Sequence, residues 1–153
     1  MVVLAVESVE NYDELVDITS QESLLSALRA SIDAFCGKFA EADARLQTLQ
    51  MITKDTGVTN FNSICLADRA FCLLRIGERN RVIPAAIEAE EAIPRSEHPE
   101  NAAYTRDRLA QVYLEIGLED RAAVLREAAE KDWRRFEARQ AFALDCLREF
   151  NFL

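Results

Sequence analysis

Apolar residues recur along this chain at three- and four-residue spacings, the period of a helix with one buried face. Leu24, Leu25, Leu28, Ile32 and Phe35 predict a helix over about 21–36, opened by a capping box of Thr19 and Glu22. Phe39, Ala42, Leu46, Leu49 and Ile52 predict a second helix over about 38–54, with Gly57 suited to its stop. A further pair is predicted at about 60–76 and 80–92, with Thr59 or Asn60 as its cap. Pro84 falls in or just after a first turn, where a proline is tolerated. Pro94 and Pro99 bracket a loop at 94–98, and Pro99 suits the first position of a helix over about 99–116. Residues 3–16 predict one more helix at the start. After Gly117 no Gly or Pro occurs for 36 residues, so a helix from Glu119 meets no local stop before about Phe150. A break near Lys131–Trp133 would give a separate final helix.

The pattern repeats. Gly37, Gly77 and Gly117 are spaced by 40 residues and 40 again. Ala30, Ala70 and Ala110 lie seven residues before them. Ala42, Val82 and Ala122 lie five residues after, and Leu49, Ala89 and Ala129 twelve after. Small residues at fixed positions let two helices approach closely. A glycine with positive φ closes the first helix of each pair and turns the chain back. Val6 and Val9 stand 40 residues before Leu46 and Leu49, as an incomplete repeat or a cap would. Continued past Gly117, this register favours a break near 136–140.

These residues resemble a known family. Leu109, Ala110, Tyr113, Gly117 and Ala122 within LAQVYLEIGLEDRAAVLREA stand at the spacing of a tetratricopeptide repeat. The preceding SEHPENAAYT is similar to the longer repeats of kinesin light chain and of bacterial regulator helical domains. The second copy keeps Ala70, Leu73, Gly77, Val82, Ala89 and Pro94; the first keeps Ala30, Gly37, Ala42 and Leu49 but has Asp33 at the tyrosine position. The likeness spans about 22–134. Its period is 40 rather than 34, and Ser26, Leu66 and Arg106 replace the family's large first-helix aromatic. The resemblance implies an all-α fold: a right-handed solenoid of antiparallel helix pairs, with about three repeats and a terminal helix. One domain is expected over 1–153, with an N-terminal helix at 1–18, pairs at 21–57, 59–96 and 99–132, and a C-terminal helix at 133–150. Such a domain is also expected to occur as a piece of a larger protein.

The resemblance further implies a concave groove lined by the first helix of each pair. Its positions here are Leu24, Phe35, Ile64, Phe71, Arg75, Tyr104, Arg108 and Gln111, with Ala27, Ser31, Ala34, Ala67, Leu74, Asp107, Leu114 and Glu115 alongside. That stripe is more apolar than a free surface. It reads as a groove for a peptide or partner helix, as a seat for the chain's own last helix, or as core in a shifted register. Trp133, Phe136, Phe142, Leu147 and Phe150 crowd the final segment and suggest an oligomer or interdomain surface, a homodimer among the options.

Charge narrows the partners. Acidic residues outnumber basic ones 27 to 18, for a net charge of −9, which opposes a nucleic-acid backbone. Arg75, Arg79 and Arg81 form a short basic patch answered by Glu88, Glu90 and Glu91. No apolar run reaches the length of a membrane span, and MVVLAV lacks the basic region of a signal peptide. Cys36, Cys65, Cys72 and Cys146 form no CxxC and read as buried free thiols, which favours a reducing, cytoplasmic setting. With His98 as the only histidine and the glycines all singletons, neither a zinc site, a phosphate loop nor a nucleophile–base pair is indicated. The reading is therefore a non-enzymatic domain without cofactor or metal, binding a protein or peptide partner as a scaffold or regulator. The alternative is a sensory domain acting through its final helix on a cyclase, kinase or transcription-regulator module.

Overall fold

The computed structural model describes residues 18–56, 62–93 and 98–149. Among them every regular element is a helix: α1 (Ile18–Phe35), α2 (Phe39–Thr56), α3 (Asn62–Arg75), α4 (Arg79–Glu91), α5 (Pro99–Glu115) and α6 (Glu119–Glu149). The expected helix at 3–16, the stop at Gly57 and the caps at Thr59 and Asn60 lie outside the described residues. Thr19 falls inside α1 rather than at its cap. Pro99 opens α5 behind His98 as N-cap, where its missing N–H costs nothing.

The three glycine turns are copies of one another. Gly37, Gly77 and Gly117 have φ of 78°, 83° and 83°. In each, the glycine N–H bonds the carbonyl three residues back, and the next N–H reaches the carbonyl five residues back: Lys38 to Asp33 at 2.8 Å, Glu78 to Leu73 at 2.9 Å, Leu118 to Tyr113 at 2.8 Å. This is a Schellman closure, which satisfies carbonyls left open at a helix end. A side chain would find open space at each glycine, so the backbone conformation alone demands it.

The most extensive packing lies across these turns, between α1 and α2, α3 and α4, and α5 and α6. Successive pairs then join through α2 on α3, α3 on α5 and α4 on α5, with a slighter contact of α1 on α3. The nine repeat positions other than the glycines behave alike. Ala30, Ala70 and Ala110, then Ala42, Val82 and Ala122, and Ala89 and Ala129 are buried to 1 % exposure or less; Leu49 has 2 %. Around them Leu66, Leu73, Leu109, Val112 and Tyr113 fill the largest apolar cluster. Each such side chain contributes roughly 1.5–3 kcal/mol of burial.

Two expectations are corrected. The segment after Gly117 is one unbroken helix of 31 residues, so no separate helix starts at 133 and no break falls at 136–140. Local sequence governs here: Ala, Glu, Lys and Arg favour helix and nothing in the stretch interrupts it. Of the cysteines, Cys65 and Cys72 are buried, but Cys36 is exposed in the glycine turn and Cys146 is half-buried. Burial pushes both the Cys65 and Cys72 thiols up to about 12, which keeps them protonated.

Enlarging an alanine of the repeat should cost more than straining a turn. Ala70→Leu is expected to destabilise by about 1–3 kcal/mol through overpacking, and Gly77→Ala by about 1–2 kcal/mol through its positive φ. Urea titration followed by circular dichroism measures both. Equal stability of Ala70→Leu and wild type would deny the close approach.

Candidate functional site

The first helices of the three pairs converge on one groove of about 290 Å³. Ser31, Ala34 and Phe35 of α1 form one wall, Asp68 and Phe71 of α3 the base, and Tyr104 and Arg108 of α5 the other wall, with Phe39 of α2 beside them. The local cause is helical spacing. Residues 31, 34 and 35 share a face of α1, 68 and 71 a face of α3, and 104 and 108 a face of α5.

Phe71 is the centre. Phe39 meets its ring edge-on at 6.0 Å, and the guanidiniums of Arg75 and Arg108 lie 4.6 and 4.5 Å from its centroid. Each cation over the ring is worth about 0.5–2 kcal/mol. Arg108 is held on three sides: its Nε donates to Asp68 Oδ1 at 2.8 Å, Nη2 to the Tyr104 hydroxyl at 3.0 Å and Nη1 to Gln111 Oε1 at 3.2 Å. The Tyr104 hydroxyl itself donates to Asp68 at 2.9 Å. Arg75 Nη2 donates to Glu115 at 2.6 Å. Asp68 and Arg108, and likewise Arg75 and Glu115, stand 40 residues apart, so equivalent positions of two copies bond one another.

Asp68 is 8 % exposed. Burial raises its carboxyl above the usual range, while Arg108 and the Tyr104 hydroxyl pull it back. Burial and the neighbouring Asp68 also raise the Tyr104 phenol, which therefore stays a donor at neutral pH. The Ser31 hydroxyl donates to the Ala27 carbonyl at 3.1 Å. What remains to face a ligand is an aromatic surface with its charges paired internally.

Of the residues expected to line a groove, the structure brings Phe35, Phe71, Tyr104 and Arg108 together, with Ser31 and Ala34. Arg75 caps Phe71, and Gln111 holds Arg108 from the side. Leu24 is exposed and Ile64 half-buried, but neither lines the groove, and Ala67 is wholly core. Sequence reasoning missed Asp68 and Phe39. The signal for Asp68 was present: a carboxylate 40 residues before Arg108 in a repeat of 40.

On α6, Trp133 is turned to the body, its indole N–H donating to Asp107 at 2.7 Å, with Phe136 edge-on at 6.0 Å. Phe142 and Leu147 are exposed, and the Phe150 side chain lies outside the described residues. A larger cleft of about 460 Å³ includes His98, Arg106, Asp132 and Arg135. Four of its polar side chains are paired: Arg106 with Asp132, Arg135 with Asp132 at 3.6 Å, and His98 with Glu100 at 3.2 Å. No helix among the described residues is long and apolar enough to cross a membrane.

Compared with family models, curated proteins and solved structures, the chain gives no significant match. The tetratricopeptide likeness therefore rests on the repeat residues alone.

Arg108→Ala leaves the Asp68 carboxylate buried without its cation and should cost about 2–4 kcal/mol. The pH dependence tests the carboxylate directly. A folded-state pKa raised above the unfolded one adds stability below about pH 4, and that stability is lost as pH rises through the folded value. Wild type should thus gain on Asp68→Asn as the solution is acidified from about pH 7 to about pH 4. A stability difference between the two that does not change with pH would show the carboxyl to be unshifted.

Proposed function

We propose that this domain recognises a protein partner by taking a peptide or short helix into the groove across α1, α3 and α5. The observation that carries the reading is convergence: residues spaced 40 apart, on three different helices, meet around Phe71. Evolution of a core alone needs no aromatic cleft open to solvent, yet Phe35 at its edge is 84 % exposed. A helix-in-groove mode asks for an apolar channel with a few fixed polar groups, which Tyr104, Arg108 and Gln111 supply.

On this reading the chain is a right-handed array of antiparallel pairs of the tetratricopeptide kind. Three features support it: the repeated Schellman turns, the contact of first helices with one another in sequence order, and the contact of α2 with α3 and of α4 with α5. The domain acts as a scaffold or regulatory module, by binding rather than by catalysis. Because Asp68 is paired to Arg108 and Arg75 to Glu115, the groove presents no excess charge of either sign. Its ligand is anchored by an apolar or aromatic side chain against Phe35, Phe39 and Phe71.

Selection from a displayed peptide library tests this. Binders should carry an aromatic or large aliphatic anchor, and Phe35→Ser should weaken them about tenfold or more without unfolding the exposed position. Binders indifferent to Phe35→Ser and to Phe71→Ala would place recognition elsewhere.

A further inference from the structure

The side of α1 turned away from α2 matches two helix faces that are covered elsewhere in the structure. Leu25, Arg29 and Ile32 lie along it, while Ala27, Ala30 and Ala34 meet α2. Forty residues on, Cys65, Arg69 and Cys72 hold the same places on α3, and both cysteines share a cluster with Leu46 and Leu49 of α2. Forty further, Thr105, Leu109 and Val112 hold them on α5, and the last two share a cluster with Ala86 and Ala89 of α4. The cover in each case is the second helix of the preceding copy. Under it Cys65, Cys72, Thr105, Leu109 and Val112 are at most 4 % exposed. Leu25 and Ile32 are half-buried, and among the described residues α1 packs only on α2 and slightly on α3.

The same step of 40 residues identifies a cover for this face. The buried stripe is Ala42, Leu46 and Leu49 on α2, and Val82, Ala86 and Ala89 on α4. Forty residues before the first of these stand Val2, Val6 and Val9. The polar column keeps the register too. Arg69 donates to Gln50 at 2.9 Å. The counterpart of Arg69 is Arg29 and that of Gln50 is Glu10, a cation and a carboxylate. Glu90, the third member of the Gln50 column, also bonds the following copy, accepting from Arg121 at 3.0 Å. Chain length agrees. Residues 57–61 join α2 to α3, and 92–98 join α4 to α5. A helix ending at Asn11, the counterpart of Glu91, leaves 12–17 for the same turn before α1, a span between those two.

We propose that residues 2–11, which precede the described ones, act as the second helix of a preceding copy and cover the Leu25–Ile32 face of α1. Val6 and Val9 then take the places of Leu46 and Leu49 against it, and Glu10 meets Arg29. The competing occupant is a second chain seated head to tail, which would offer its α6. Continued onto α6, the stripe becomes Ala122, Arg126 and Ala129, with Arg126 exposed. An arginine set against Leu25 and Ile32 costs desolvation that Val6 does not. The short tether at 12–17 also keeps residues 2–11 at high local concentration. Covered in this way, α1 is backed from behind, and the groove wall that carries Phe35 has support on two sides.

Urea titration of the full chain, followed by circular dichroism, tests this. Val6→Ala should lower the midpoint by about 0.5 M, and Val6→Asp by more. Ser8→Asp adds the same charge at the counterpart of Thr48 and Glu88, both exposed, and should move the midpoint by less than about 0.2 M. Glu10→Arg should lower the midpoint by about 0.3 M, and adding Arg29→Glu to that chain should recover the loss. The loss from Val6→Ala should be equal at about 5 μM and about 200 μM protein, as a contact within one chain requires. A loss that appears only at the higher concentration puts a second chain on the face and overturns the proposal. So does a Val6→Asp midpoint equal to wild type, a Ser8→Asp loss as large as that of Val6→Asp, or a charge reversal that Arg29→Glu fails to rescue.

Discussion

Two helices that meet at an alanine have only a methyl group to keep their backbones apart, and that distance governs the rest of this structure. Ala30 shares a cluster with Ala42 across its turn; Ala70 and Ala110 share another with Val82 and Ala122. At these positions a larger side chain has nowhere to go, since the interior is packed to 1 % exposure or less. The glycine turns follow from the same closeness. A chain that must reverse within three residues and keep its helices in contact needs the left-handed conformation at one fixed place.

Close pairs leave the first helices free to meet each other along one side, and there the polar groups take over from packing. Asp68 with Arg108 and Arg75 with Glu115 bond equivalent positions of the second and third copies. Both arginines press on Phe71. The ion pairs therefore do two things at once. They join the third copy to the second, and they set two guanidinium groups over the Phe71 ring. Arg69 does similar work on the flank, donating to Asp43 at 2.9 Å and Gln50 at 2.9 Å and so tying α3 to α2.

The helices, turns and buried alanines were legible because each is encoded by residue size at a fixed spacing, and size has few interpretations. Phe35, Phe71, Tyr104 and Arg108 were legible through the resemblance, which supplied a face. Asp68 was not, because a carboxylate on a helix reads as solvated until its partner 40 residues away is in view. Phe39 was taken for core, as its spacing with Ala42 and Leu46 suggests, yet its ring edge reaches Phe71. The end of the chain shows the opposite failure. The repeat period placed a break where local sequence offers no breaker, and the helix followed the local rule. Cys36 was misplaced by its apolar neighbours, although one step before Gly37 it belongs to the turn.

The two walls of the groove are not equally held. In the second and third copies the positions 33 and 45 of the first are filled by Leu73 with Ala85 and by Tyr113 with Leu125, all buried. The first copy has Asp33 and Arg45 there, joined at 2.7 Å with Arg45 48 % exposed. An exposed ion pair contributes a fraction of what a buried tyrosine or leucine does. Helix α1 also touches α3 only slightly, whereas α3 and α5 are joined by packing and by both ion pairs. Segments with few buried contacts sit at the low end of local stability. The α1 wall, with Phe35 at its rim, is thus tied to the groove base mainly through α2, whereas the α3–α5 wall is fixed directly by packing and ion pairs. In the proposed binding mode an anchor would meet Phe35 and Phe39 on the side held through α2, and Phe71, Tyr104 and Arg108 on the side fixed directly.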